Sequence, residues 1–215
     1  MRFEASASAR PWGIVQLEAR NILFHQGDAA TAWYEVVAGV VSTSHLSGEG
    51  ARQLTGYHYP GDVIGLDSAH YQETAEAVTA SLLRAHSGSS PSPGLHGAAC
   101  GGMSDCAARR ALASTKRCLF LFGKKGAMQR VAALLLDITS HAGKDADLAQ
   151  LMQRGEVADH LGLTLHTVSR AISELSRRKL IARDGAHLLR IVDRAGLAML
   201  ADVDGPEPAT LRHSL

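Results

Sequence analysis

The chain of 215 residues reads as an α+β protein: an N-terminal antiparallel β-roll, a connecting helical stretch and a C-terminal winged helix-turn-helix. Three observations predict this. Between Asn21 and Leu83 short apolar runs are broken at regular intervals by Gly, Pro and Asp, the pattern of a small antiparallel sandwich or barrel. Between about Asp105 and His141 Ala, Leu and Arg recur at helical spacing. From Gln153 to Asp184 two short helical patterns flank a glycine, and two strand-like runs follow.

The β elements come in order. Ile22-Leu23-Phe24 is a strand closed by the turn Gln26-Gly27-Asp28. Trp33 to Val37 is the next strand, and Gly39 interrupts it before Val40 to Thr43. Ser47 to Gly50 makes a hairpin loop to a strand over Gln53 to His58, which Pro60-Gly61-Asp62 closes. Val63-Ile64 leads to Gly65, and Ala75 to Leu83 is strand-like again. From Arg84 the texture changes. Ser87 to Gly94 is rich in Ser, Gly and Pro without an apolar period, which predicts a flexible loop running to Gly102.

In the middle of the chain, Leu112, Leu119 and Phe122 lie at roughly heptad spacing and make a candidate helix–helix seam. Gly123 and Gly126 predict a break. A second helix over Ala127 to Ser140 places Val131, Leu134, Leu135 and Ile138 on one face, and Gly143 ends it. The expected division is 15–104 for the β-roll, with 84–106 atypical, 105–142 for the dimerisation helix and hinge, 143–201 for the winged helix-turn-helix, and a polar, frayed tail over 202–215.

The C-terminal third carries the chemistry. A helix over Arg154 to Leu161 turns Val157, Ala158 and Leu161 inward. Gly162 supplies a residue without Cβ for a tight turn, and Leu163 packs under it. Thr164 can cap the next helix, Leu165 to Lys179, whose Val168, Ala171, Ile172 and Leu175 face inward. Leu180-Ile181-Ala182 and His187 to Val192 form a wing around an Asp184-Gly185 turn, and Asp193 caps a last helix over Arg194 to Leu200. In such an arrangement the second helix enters the major groove of double-stranded DNA. His166, Ser169 and Arg170 are therefore the candidate base contacts, with Arg170 able to give two donors to guanine O6 and N7. Thr164, Thr167 and Arg177 are the candidate phosphate contacts, which set register but carry no sequence information. The bland alternative is an amphipathic hairpin packed on a partner protein, but turn, cap, polar face and wing agree on DNA.

Charge supports this division of labour. Residues 1–100 carry five basic and nine acidic side chains, and residues 101–215 carry seventeen and twelve. A net charge of +1 thus hides an acidic half and a basic half, the latter suited to a polyanion. No apolar stretch is long enough to cross a bilayer, and the N-terminus lacks a secretory pattern. Cys100, Cys106 and Cys118 form no CxxC pair, so neither a disulfide scaffold nor a zinc knuckle is expected, and a reducing cytoplasm is the simpler compartment. A redox role for Cys118 competes with a plain buried helix cysteine. A metalloenzyme of the cupin kind needs closely spaced histidines, whereas His25, His45, His58 and His70 are scattered. No phosphate loop or nucleophile elbow is present, and an enzyme is not expected.

The run Gly155-Glu156-Val157-Ala158-Asp159-His160-Leu161-Gly162-Leu163-Thr164-Leu165-His166-Thr167-Val168-Ser169-Arg170 resembles the helix-turn-helix of the Crp–Fnr family, in particular its FixK-like branch. Ala38 to Val41, Gly56 to Leu66 and Thr74 to Val78 are similar to that family's β-roll, a cupin-like, cyclic-nucleotide-binding-like domain, and Lys124 to Ala132 to the stretch after its dimer helix. The resemblance implies a homodimer that reads an inverted repeat and contacts RNA polymerase. Most relatives have Glu at the position of His166; Glu would accept from cytosine N4, whereas His has different options, so the family's half-site does not carry over at that base pair. Relatives that bind cyclic AMP use Gly-Glu for the ribose and Arg-Ser for the phosphate. Here Gly61-Asp62 takes the first place and no Arg lies between Arg52 and Arg84, so no bound cyclic nucleotide is expected, with a cyclic-nucleotide-responsive regulator as the alternative. The iron–sulfur relatives need an N-terminal cysteine group, and no cysteine precedes Cys100. Where the family has its last β-roll strands, residues 84–106 admit two readings: a compensated reading-frame shift, or divergence into a loop that weakens the dimer.

Overall fold

The computed structural model describes residues 12–87, 101–123, 126–141, 154–184 and 188–201. Two four-stranded antiparallel sheets face each other to make the β-roll. The first runs β1 (Trp12–Leu17), β8 (Ser81–Ser87), β3 (Ala32–Ala38), β6 (Val63–Ile64). The second runs β2 (Ile22–Phe24), β7 (Thr74–Ala77), β4 (Val41–Leu46), β5 (Arg52–His58). Phe24, Val36, Val41, Ile64, Tyr71, Ala75 and Leu83 fill the space between them, because alternate residues of a strand share one face.

Three expectations change here. The stretch read as one strand over Ala75 to Leu83 is two, β7 and β8, in different sheets. No loop starts at Arg84: Arg84 to Ser87 continue β8, which lies between β1 and β3 and pairs with both. The missing sheet strand is therefore present. Its register depends on partners about seventy residues away in β1, which no local pattern reveals. Residues 88–100, with Cys100, lie outside the described residues, and helix α1 (Gly101–Phe122) starts within the stretch expected to be loop. Strand β1 was not anticipated at all.

Gly39 sits where β3 passes to β4, at φ +85°. A Cβ there would meet the Ala80 carbonyl at 2.5 Å. Both the left-handed backbone and the clash act against a side chain. Gly39→Ala is expected to cost about 2–4 kcal/mol, read as a lowered midpoint in chemical denaturation with unchanged slope.

Helix α2 (Ala127–His141) follows the predicted break at Gly123 and Gly126. Its first turn is held by Gln129, whose Oε1 accepts from the Gly126 amide at 2.8 Å. Val131, Leu134, Leu135 and Ile138 are buried as the spacing predicts. They meet Val157, Leu161, Val168, Leu175 and Leu197 from the C-terminal third, and Leu54, Tyr57 and Tyr59 from the β-roll. One core thus joins both halves, and each of its large side chains contributes roughly 1.5–3 kcal/mol by leaving water.

Polar groups mark the same junction. Arg20 pairs with Glu156 at 2.6 Å, across 136 residues of chain. Arg117 of α1 pairs with buried Asp62, whose carboxylate also accepts from the Tyr59 amide at 3.0 Å. Tyr57 of β5 meets His160 edge to face at 5.2 Å between ring centroids. Burial lowers the pKa of His160 and of His58, each to about 4. In the unfolded chain both return to about 6.5. The unfolded state then binds more protons below that value, so stability is full above pH 6.5 and falls as pH drops toward 4. Each imidazole withdraws up to roughly 3 kcal/mol across that window. The urea midpoint should decline steadily over this range, and a flat midpoint would contradict two neutral buried imidazoles.

Candidate nucleic-acid interface

Helix α3 (Arg154–Leu161) and helix α4 (Leu165–Arg177) build the site. Val157, Ala158 and Leu161 are buried, and Gly162 takes φ +60°. The chain reverses there, with the Leu163 amide donating to Ala158 O at 2.8 Å. Thr164 then caps α4: its backbone is extended and its side-chain Oγ1 accepts from the Thr167 amide at 3.2 Å. Thr164→Ala is expected to lower stability by about 1 kcal/mol, measured as a shift in thermal midpoint.

Val168, Ala171, Ile172 and Leu175 bury one face of α4. The helix stops at Arg177, two residues before the expected Lys179. Lys179 adopts φ +60°, and the Leu180 amide reaches back to Leu175 O at 3.1 Å. This is a left-handed helix end in which lysine stands where glycine is usual. Strands β9 (Ile181–Asp184) and β10 (Leu188–Ile191) pair antiparallel as the wing. Asp184, expected in the turn, closes β9 instead and pairs with Leu188, while Gly185, the expected stop at Gly143 and the tail over 202–215 lie outside the described residues. Helix α5 (Arg194–Ala201) starts on Asp193, whose Oδ1 accepts from the Gly196 amide at 2.8 Å. Arg194 ties it to α2 through Thr139 Oγ1 at 3.0 Å and Ser140 Oγ at 2.7 Å. Arg130 of α2 donates to Leu161 O at 3.0 Å. The helix-turn-helix and the last helix are thereby tied to α2.

The polar face of α4 opens onto a groove of about 680 Å³. Five of the six candidate residues, His166, Thr167, Ser169, Arg170 and Arg177, line it. Thr164 stands at the helix start, its hydroxyl 2.8 Å from that of Thr167. His166 and Arg170 are exposed, and neither side chain has a hydrogen bond or ion pair to another described residue. Arg177 is differently placed. It forms a two-pronged pair with Glu174, a groove residue that the sequence reading passed over. The signal was available, since Glu174 lies three and four residues before Arg177 and Arg178.

A second cavity, of about 420 Å³, lies between the β-roll and α1. Thr43, His58, Asp67, Glu73, Ser114 and Cys118 are among its lining residues, and no Lys or Arg is. A cyclic phosphate would meet two carboxylates and no cation. Asp62, at the place where relatives bind ribose, is already engaged by Arg117 and the Tyr59 amide. These residues do not fit a cyclic nucleotide. Burial pushes the Cys118 thiol up to about 11, which leaves little reactive thiolate near neutrality. Among the described residues no group of three His, Cys, Asp or Glu is arranged to hold a metal, and no helix is long and apolar enough to cross a membrane.

A β-roll joined through a long helix to a helix-turn-helix with a two-stranded wing defines a DNA-binding transcription regulator. Comparison with known proteins agrees. Residues 14–88 match the model of the cyclic nucleotide-binding domain, and residues 129–200 that of the Crp-like helix-turn-helix domain. The chain is 31% identical to the nitrogen fixation regulation protein FixK of Rhizobium meliloti over 84% of this chain and 83% of that one. It is 33% identical to the FixK protein of Azorhizobium caulinodans over 91% and 85%. The structure of FixK2 from Bradyrhizobium japonicum superimposes with a TM-score of 0.70 at 30% identity, covering 88% of this chain and 96% of that one. The chain belongs to the Crp–Fnr family of transcription regulators.

Proposed function

We propose that the protein acts in the cytoplasm as a homodimer that reads an inverted repeat in double-stranded DNA and engages RNA polymerase there. It does so without a catalytic step, a cyclic nucleotide or an iron–sulfur cluster of its own. The observation that carries this reading is the exposed, unpartnered pair of side chains His166 and Arg170 on a capped helix. Arg170 reads guanine and His166 a neighbouring base edge, with Ser169 reaching a base or phosphate. Thr164 and Thr167 rest on phosphates. Residues 15–104 then brace the dimer, 105–142 form it and 143–201 read the site.

The dimer reading is supported by α1. Leu112 and Leu119, seven residues apart on one face, are 55% and 65% exposed, and Phe120 beside them is 54% exposed. An apolar stripe of this spacing along a helix fits a second copy of itself. Phe122, the third residue of the expected seam, has its side chain outside the described residues.

Immunoprecipitation of the protein from growing cells, with sequencing of the attached DNA, tests the function. Enrichment of upstream regions that share one palindromic motif, with RNA polymerase retained on them, is the expected result. Recovery of DNA in proportion to genome content would overturn it.

A further inference from the structure

The groove that faces DNA contains a carboxylate. Glu174 lines it together with His166, Ser169 and Arg170. Arg177 donates to this carboxylate from Nε at 2.8 Å and from Nη2 at 2.7 Å. Arg178 adds a bond from Nε at 2.8 Å. The hydrogen bonds from Arg177 and Arg178 lower the pKa of this carboxyl group to about 2, so it is ionised at neutral pH. The Arg177 fork that is spent on Glu174 is the same fork that would grip a phosphate.

Exposed pairs of this kind contribute little to folding. Their consequence lies in where the guanidinium groups point and in the charge the groove offers. Two arginines and one glutamate present half the positive charge of two arginines alone. We propose that Glu174 limits the sequence-independent grip of the protein on DNA by holding Arg177 and Arg178 away from the phosphates. This rests on the reading that the α4 face meets DNA. Phosphate contacts strengthen binding to every duplex alike. Withholding two of them shortens residence on the large excess of wrong sites and leaves the discrimination made by Arg170 intact.

The test is binding of the full-length protein and its Glu174→Gln variant to a labelled duplex of unrelated sequence, followed by anisotropy across a salt series. Glu174→Gln should bind about tenfold more tightly at low salt, and the slope of log K against log salt should steepen by about one to two. In an Arg177→Gln/Arg178→Gln background the same substitution should give little gain. Unchanged or weaker binding by Glu174→Gln overturns the proposal. So does a gain that persists in full without the two arginines, since it would report direct repulsion between Glu174 and DNA. An Arg170→Ala control on a selected duplex separates the two levels of the argument. If Arg170→Ala has no effect, the DNA-facing reading itself fails. If it abolishes discrimination while Glu174→Gln changes nothing, only the role of Glu174 fails.

Discussion

Replacing Arg170 by alanine is expected to lower affinity for the preferred duplex by about a hundredfold or more, because a bidentate guanine contact is worth roughly 1–3 kcal/mol and a dimer makes it twice. Binding to an unrelated duplex should change little, since base contacts add nothing there. Arg170 is exposed and lines the groove, while the neighbouring Ala171 and Ile172 are buried. Truncating it therefore removes a reading group without opening a cavity, and the thermal midpoint should stay within about 1 °C of the parent. Loss of fold together with loss of binding would assign Arg170 a structural task instead. His166 offers a companion measurement. With Glu at that position the base preference should move toward the one typical of the family, because a carboxylate accepts from cytosine N4.

The second large effect concerns the seam on α1. Leu112→Glu combined with Leu119→Glu should turn a dimer into a monomer in sedimentation. The preferred duplex should then bind about a thousandfold less tightly, as one half-site is lost from the linked pair. Both side chains are more than half exposed in the single chain, so charging them costs the monomer little. A variant that stays dimeric would place the interface elsewhere, and a dimeric parent that binds no better than its monomeric variant would separate pairing from DNA recognition.

The C-terminal third was the most legible part of the sequence, because what shapes it is local. Gly162 at positive φ, the Thr164 cap and the inward spacing of Val168, Ala171, Ile172 and Leu175 all act within a few residues. The helix end was misjudged by two residues because lysine in place of glycine hides a left-handed turn at Lys179. The β-roll was legible where turns punctuate it and illegible at β1 and at Arg84 to Ser87. There an exposed Ile14 and a buried His86, stacked on Trp33, invert the usual polarity of alternation. Their pairing is fixed by distant strands. The junction of the two halves was illegible for the same reason: nothing near Arg20 or Glu156 indicates that they meet. Five of the six candidate residues line the groove together, and one of those five taught most. Arg177, expected at a phosphate, is held by Glu174, so a cation's position on a helix face does not by itself say which anion it serves.

The presence of β8 between β1 and β3 also bears on residues 84–106. A shifted reading frame starting at Arg84 would not be expected to continue a strand through Ala85 and His86 with both neighbours in register. The β-roll keeps its central pairing, and α1 leaves it with Ala107 packed beside Trp33 and Val63. The platform that carries the apolar stripe of α1 is therefore intact among the described residues.

Selection of duplexes from a random pool by the purified protein, followed by sequencing of the bound fraction, tests the central claim most directly. Two inverted half-sites centred about one helical turn apart, roughly 10 base pairs, should be enriched, with a guanine at the position that Arg170→Ala no longer selects. A bound fraction as random as the starting pool, held only by salt-sensitive attraction, would contradict the claim that this helix-turn-helix reads sequence.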